Sequence, residues 1–197
     1  LSGKRVREMF KAPNGNIWIG TEDGGLNLFD PKEKVFLPLP IPLKTLYTNI
    51  HALLQDGDNF WISTYSKGLN RYNFKTGELV TYTHNDHQNS ISQTSTFALC
   101  KDRQGLLWVG TLSGVDLYDD ERDQFIKVEE LIGMSILDIF EDSNGFIWIS
   151  TFQDGLFRYN PATKEWKVFT YDASDNTSLP YYKPTSMYED SKRRLWV

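Results

Sequence analysis

The sequence predicts an all-β protein of the β-propeller class, and three observations carry that prediction. Tryptophan recurs in near-identical settings at Trp18, Trp61, Trp108, Trp148 and Trp196, with separations of 43, 47, 40 and 48 residues. A period of about 40–50 residues is that of propeller blades. Each interval holds four short strand-like pieces divided by turns rich in Gly, Asn, Asp and Pro. The tryptophan pieces are apolar on both faces, and no helical pattern exists to cover them, so neighbouring sheets must do so. The expected architecture is four complete four-stranded blades, near 5–38, 49–83, 95–128 and 135–170, with the start of a fifth at 184–197.

The first strand of a unit is an apolar alternation ending in acid, as in Ile50-His51-Ala52-Leu53-Leu54, Phe97-Ala98-Leu99-Cys100 and Ile136-Leu137-Asp138-Ile139-Phe140. A tight turn follows at Asn14-Gly15, Gln104-Gly105 and Asn144-Gly145, residues that tolerate positive φ. An aspartate stands six before the tryptophan at Asp102, Asp142 and Asp190; in the second unit a shorter turn moves Asp56 to five before, and the first unit has Ala12. One Asp per turn, without a second acid at fixed spacing, reads as a turn former and not as a metal ligand.

The second strand carries the tryptophan and then a small residue (Gly20, Ser63, Gly110 or Ser150), consistent with close approach of neighbouring backbones. The third strand repeats a Gly-Leu-x-x-aromatic theme, for example Gly68-Leu69-Asn70-Arg71-Tyr72 and Gly155-Leu156-Phe157-Arg158-Tyr159. Polar turns such as Asp30-Pro31 and Asn160-Pro161 lead to the fourth, exemplified by Leu79-Val80-Thr81-Tyr82 and Trp166-Lys167-Val168-Phe169. The fifth unit stops within its tryptophan strand, and the N-terminus has no strands to spare for it. The expectation is a fragment of a larger ring, whose uncovered end blades make the isolated piece dimerise or aggregate.

Composition excludes several functions. With 26 acidic against 21 basic residues and a net charge of −5, the chain is not a phosphate-backbone binder, so no nucleic-acid partner is expected. No apolar run approaches the roughly 20 residues of a membrane-spanning helix, and Leu1-Ser2-Gly3-Lys4-Arg5 opens no leader-like segment. The single Cys100 reads as a small buried hydrophobe. No nucleophile elbow, phosphate-binding glycine loop or His–acid pair appears, so the segment is expected to be non-catalytic and to need no cofactor.

With the repeat laid out, Asp-x-x-Gly-x-x-Trp-x-Gly-Thr followed by Gly-Leu-x-x-Tyr-Asn/Asp resembles the two-component regulator propeller repeat. Residues 102–111 carry the first half unbroken, and residues 142–151 match it with Ser150 for glycine. The inter-blade segments Asn89-Ser90-Ile91-Ser92 and Thr177-Ser178-Leu179-Pro180 fit the same pattern, whereas Ala12-Pro13, the short turn of the second unit and the short linker Glu129-Glu130-Leu131 depart from it. The resemblance implies a seven-bladed, periplasmic sensor of a hybrid histidine kinase of Bacteroidetes type. Such a receptor detects oligosaccharides, acts as a homodimer and has its kinase outside this chain. The alternatives from other classes are a protein-interaction scaffold without a small-molecule ligand, and a propeller lyase or hydrolase.

A binding site on such a fold belongs to the loops joining fourth to first and second to third strands. Those loops carry Tyr47, Tyr65, Lys67, His84, Asp86, His87, Phe152, Tyr181, Tyr182 and Lys183. Aromatic rings beside hydrogen-bonding groups suit sugars, which present apolar ring faces and hydroxyl edges. His84, Asp86 and His87 form the one metal-like cluster, but in a polar loop they read as solvated and no metal is expected. The adjacent acids Asp119-Asp120 and Glu129-Glu130 likewise read as turn and linker residues, not a glycosidase pair.

Overall fold

Four up-and-down meanders of four antiparallel strands make up most of the chain. Blade one is β1 (Val6–Lys11), β2 (Ile17–Thr21), β3 (Gly25–Asp30) and β4 (Val35–Leu37). Blade two is β5 (Ile50–Asp56), β6 (Asn59–Thr64), β7 (Leu69–Asn73) and β8 (Leu79–Tyr82). Blade three is β9 (Thr96–Lys101), β10 (Leu107–Thr111), β11 (Gly114–Asp119) and β12 (Gln124–Lys127). Blade four is β13 (Ile136–Glu141), β14 (Ile147–Thr151), β15 (Leu156–Asn160) and β16 (Glu165–Phe169), and a fifth, two-stranded sheet pairs β17 (Tyr188–Glu189) with β18 (Leu195–Trp196). The computed structural model describes residues 1–46, 49–87, 89–181 and 183–197. It divides into two units, Leu1–Phe97 and Ala98–Val197.

Each blade is set by chemistry that repeats. In blades three and four the aspartate that opens the first hairpin accepts two backbone N–H groups and one indole. Asp102 Oδ1 takes Gln104 N (3.0 Å) and Leu106 N (2.9 Å) while Oδ2 takes Trp108 Nε1 (2.8 Å). Asp142 does the same for Asn144, Phe146 and Trp148. Asp190 does so for Lys192, Arg194 and Trp196, and the Trp196 indole is the chief reason its carboxyl is held at about 2. The glycine at the corner sits at φ 89° in Gly105 and 85° in Gly145, which a residue with a Cβ adopts only at a cost.

At the other end of the tryptophan strand, a fully buried threonine closes the second hairpin. Thr21, Thr64, Thr111 and Thr151 each donate their hydroxyl to the carbonyl of Gly25, Gly68, Gly114 and Gly155, at 2.7–2.9 Å. Between the tryptophan and that threonine, the small residue makes room for the next blade. A Cβ on Gly20 would come within 2.6 Å of Ile50 Cγ2, and one on Gly110 within 2.6 Å of Ile136 Cγ2. After blade two the small residue is Ser63, and the strand that follows offers the smaller Thr96, whose hydroxyl accepts the Thr64 N–H.

The tryptophan strands are buried on both faces, as their two-sided apolar pattern requires. Trp18, Trp61 and Trp108 are buried, Trp148 and Trp166 half-buried, and Trp196 is exposed. Two short helical turns were absent from the expected plan. Helix α1 (Ile41–Lys44) follows β4, and a 3-10 turn spans Glu129–Leu131. Both are plugs: Leu43 and Leu46 enter the core of the first unit, and Leu131 that of the second. Neither shows helical periodicity, because one turn is too short to display it.

Candidate ligand-binding site

The first strands of blades one, two and four each carry a bulge at the same place, between Val6 and Glu8, Ile50 and Ala52, and Ile136 and Asp138. A bulge re-aims the extra side chain. In the first unit the extra residues are Arg7 and His51, and Phe97 occupies the corresponding position in β9. His51 stacks on Phe97 with centroids 4.1 Å apart and lies 6.3 Å from Tyr65, which meets Phe97 edge-on at 6.1 Å. Arg7 pairs with Glu22 at 3.0 Å, and Glu22 also takes Arg5 at 3.3 Å.

The result is a ribbon of chemistry: carboxylate and guanidinium at one end, three rings at the other. Burial, then the Arg7 charge, lowers the His51 pKa to about 4, so its imidazole is neutral at pH 7. His51 Nε2 is buried with no hydrogen-bond partner among the described residues, a position that is costly unless something else supplies the bond. Tyr65 is 48% exposed at the edge of the stack. Its backbone is tied to Asn49 O through its N–H at 3.1 Å, and its carbonyl accepts the Ser95 hydroxyl. Lys67, three residues past Thr64, donates Nζ to Thr45 O at 3.0 Å.

Of the residues expected to bind, Tyr65 belongs to this cluster, while Lys67 is held on the Thr45 carbonyl. Phe152 and Lys183 meet in the second unit, where the ammonium stands 4.0 Å over the ring. Tyr181 is exposed. Tyr47 and Tyr182 lie outside the described residues. His84, Asp86 and His87 are all exposed, and His84 Nδ1 contacts Ile91 O at 2.9 Å, which folds the loop onto the buried Ile91. Among the described residues no group of three His, Cys, Asp or Glu could hold a metal ion. The loop instead is closed by Ser90, whose hydroxyl donates to Asn85 O at 2.9 Å and accepts Asn85 N at 3.2 Å. Ser178 repeats the device on Asp172, which explains why both long connections carry the same serine.

Sequence reasoning missed His51 and Phe97, because both sit inside first strands and read as core. The signal that finds them is register: Arg7 and Phe97 stand eleven before their tryptophans, and His51 stands ten before Trp61, where the turn is one residue shorter. Cys100 behaves as expected, its thiol pushed up to about 12 by burial, so it is not a nucleophile near neutrality. No helix among the described residues is long and apolar enough to cross a membrane.

Comparison with known proteins bears on the fold. A histidine kinase of Formosa agariphila is 30% identical over 205 residues, covering 98% of this chain and 15% of that protein. The extracellular domain of a hybrid two-component system from B. thetaiotaomicron superposes with a TM-score of 0.80 at 23% identity, over 98% of this chain and 26% of that one. Virginiamycin B lyase from Staphylococcus aureus shares the fold with a TM-score of 0.70 at 16% identity, over 99% of this chain and 62% of that enzyme. The chain thus spans a small part of its kinase relative and about a quarter of the two-component domain. Residues 1–23, 90–113 and 130–153 match the two component regulator propeller, each match overlapping a blade derived above. With its tryptophan strands, turn aspartates and closing threonines repeated blade after blade, the chain is similar to the two component regulator propeller over those three segments.

Proposed function

We propose that this chain is a non-catalytic, ligand-sensing propeller segment of an extracytoplasmic, periplasmic receptor of the histidine-kinase type, and that its ligand is an oligosaccharide. The observation that carries the reading is the His51–Phe97–Tyr65 ring cluster flanked by Arg7 and Glu22. A pyranose offers C–H faces to the rings and hydroxyls to the guanidinium and the carboxylate. The identity to a histidine kinase and the fold shared with an extracellular two-component domain support a sensor. Ligand contacts favour one arrangement of a receptor dimer, since a ligand shifts an equilibrium only through its differential affinity. Further blades of the same ring and a second receptor copy are the partners this reading requires.

The test is a thermal-shift screen of the chain against oligosaccharides, because a ligand that binds only the folded state raises the melting temperature. At least one hit is expected to vanish in Tyr65→Ala and to persist in Tyr181→Ala. If every hit is unchanged in Tyr65→Ala the placement is overturned, and the absence of any hit overturns the ligand class.

A further inference from the structure

Between blades three and four lies a cavity of about 420 Å³ for which blades one and two supply an internal control. In the first unit the space beside Trp18 is filled by rings. Phe60 lies 4.9 Å from Trp18, and Phe74 lies 6.0 Å from it, 5.6 Å from Phe60 and 5.4 Å from Tyr72. Aligned on the tryptophan of the second blade, Phe60 corresponds to Ile147 and Phe74 to Pro161, while Tyr72 is kept as Tyr159. Two rings are therefore withdrawn from the space beside Trp108. Leu79, across the strand pair from Tyr72, becomes Trp166 across from Tyr159, so one ring is added on the outer wall.

The cavity that results has Trp108 and Leu117 as its floor and Tyr159 and Trp166, 4.7 Å apart, as a wall. Its rim carries two ammonium groups, Lys127 and Lys164, and two carboxylates, Glu129 and Glu130. None of these four side chains is held in an ion pair among the described residues. With Asp102, whose Oδ2 accepts the Trp108 indole, the lining has two ammonium groups against three carboxylates, a balance that does not favour an anion, and it offers hydrogen-bond donors and acceptors beside an aromatic wall. The volume is within the range of about 300–1,000 Å³ of small-molecule sites.

We infer that this cavity is a second ligand site, on hairpins remote in sequence from the His51 cluster, and that it takes one or two rings of a neutral pyranose sugar. The ring C–H face lies on Trp166 and Tyr159, and hydroxyls bond to the glutamates and lysines. The ligand class is that of the proposed function, but the residues are separate, so each site has its own variant. The experiment titrates the chain with maltose, cellobiose, lactose, laminaribiose and chitobiose at millimolar concentration, reading tryptophan fluorescence and calorimetric heat. At least one is expected to bind, with affinity reduced at least about tenfold in Trp166→Ala.

Pro161→Phe, which restores the ring that blade two places over Trp18, is expected to abolish binding while leaving near-ultraviolet circular dichroism unchanged. Should that variant misfold, the surface pair Glu129→Gln and Glu130→Gln reads the same site without touching the core. Tyr65→Ala, which disables the His51 cluster, leaves this binding intact. Failure of all five sugars to bind, or binding that survives Pro161→Phe in a folded protein, overturns the inference. Loss in Tyr65→Ala alone assigns the sugar to the other cluster and also overturns it.

Discussion

Blade one and the later blades three and four hold the same tryptophan by different means. In blades three and four the indole is tied by its nitrogen: Trp108 to Asp102 and Trp148 to Asp142, each at 2.8 Å, by a carboxylate that also shapes the preceding turn. Blade one has Ala12 there, and although its turn keeps the same backbone bonds, Ala12 N to Asn16 O and Gly15 N to Ala12 O, Ala12 has no carboxylate to offer Trp18. Trp18 is instead bedded in Phe60, Phe74 and Phe10. Trp61 lies under the Arg71 guanidinium at 5.6 Å and beside Tyr82 at 6.0 Å. Polar latching leaves the space around the ring open, as it does beside Trp108. Aromatic bedding fills it. The blade tolerates either because what the fold needs is the indole immobile, not one particular partner.

That contrast can be broken most forcefully from the aromatic side. Phe60 is fully buried against Trp18, so Phe60→Ala is expected to cost about 4 kcal/mol, combining lost transfer free energy with the cavity left behind. Chemical denaturation measures it, and a loss under about 1 kcal/mol would show that the rings are not what holds blade one.

On the polar side, Asp142→Ala removes one acceptor from three buried or half-buried donors, and a loss of about 2–3 kcal/mol is expected in the same assay. The reciprocal change sharpens the comparison. Ala12→Asp installs the carboxylate in a turn whose backbone already matches, and a gain of about 1 kcal/mol is expected. A destabilised Ala12→Asp protein would mean that aromatic bedding and polar latching exclude each other.

The smallest effect lies in pH. The folded-state pKa of His51, about 4, is below its unfolded value of 6.5, so the unfolded chain binds the proton more readily. The stability associated with the neutral imidazole is present above pH 6.5 and is lost as pH falls from there through about 4. A plot of melting temperature against pH should therefore be flatter over that window in His51→Phe, which keeps the stack on Phe97 but does not titrate. Parallel profiles would show that His51 is not held neutral by the first unit.

Much of this was legible in the residues. The tryptophan period announces the blades, the Asn-Gly and Gln-Gly corners announce the hairpins, and the aspartate at a constant six before tryptophan marks the turn. What that constant spacing also encoded, a bond to the indole, was read only as turn formation, because a spacing along the chain does not say which side chain bends back to meet it. The loop residues proposed for binding were the harder part. Tyr65 meets two rings, but His51 and Phe97 were invisible as its partners, since a bulge in one strand turns a core-like position toward a neighbour. His84, Asp86 and His87 lie in an exposed loop folded over Ile91, as their polar setting suggested.

The sequence alone determined the repeat, the strand order within each blade and the need for cover on both faces. These follow from period-two alternation and turn chemistry, which act over a few residues. Tertiary structure alone decided how each indole is held, where the cavity beside Trp108 opens and which first-strand residues meet. Those depend on contacts between blades some forty residues apart, where replacing Phe74 by Pro161 changes the space near a tryptophan with which neither shares a strand.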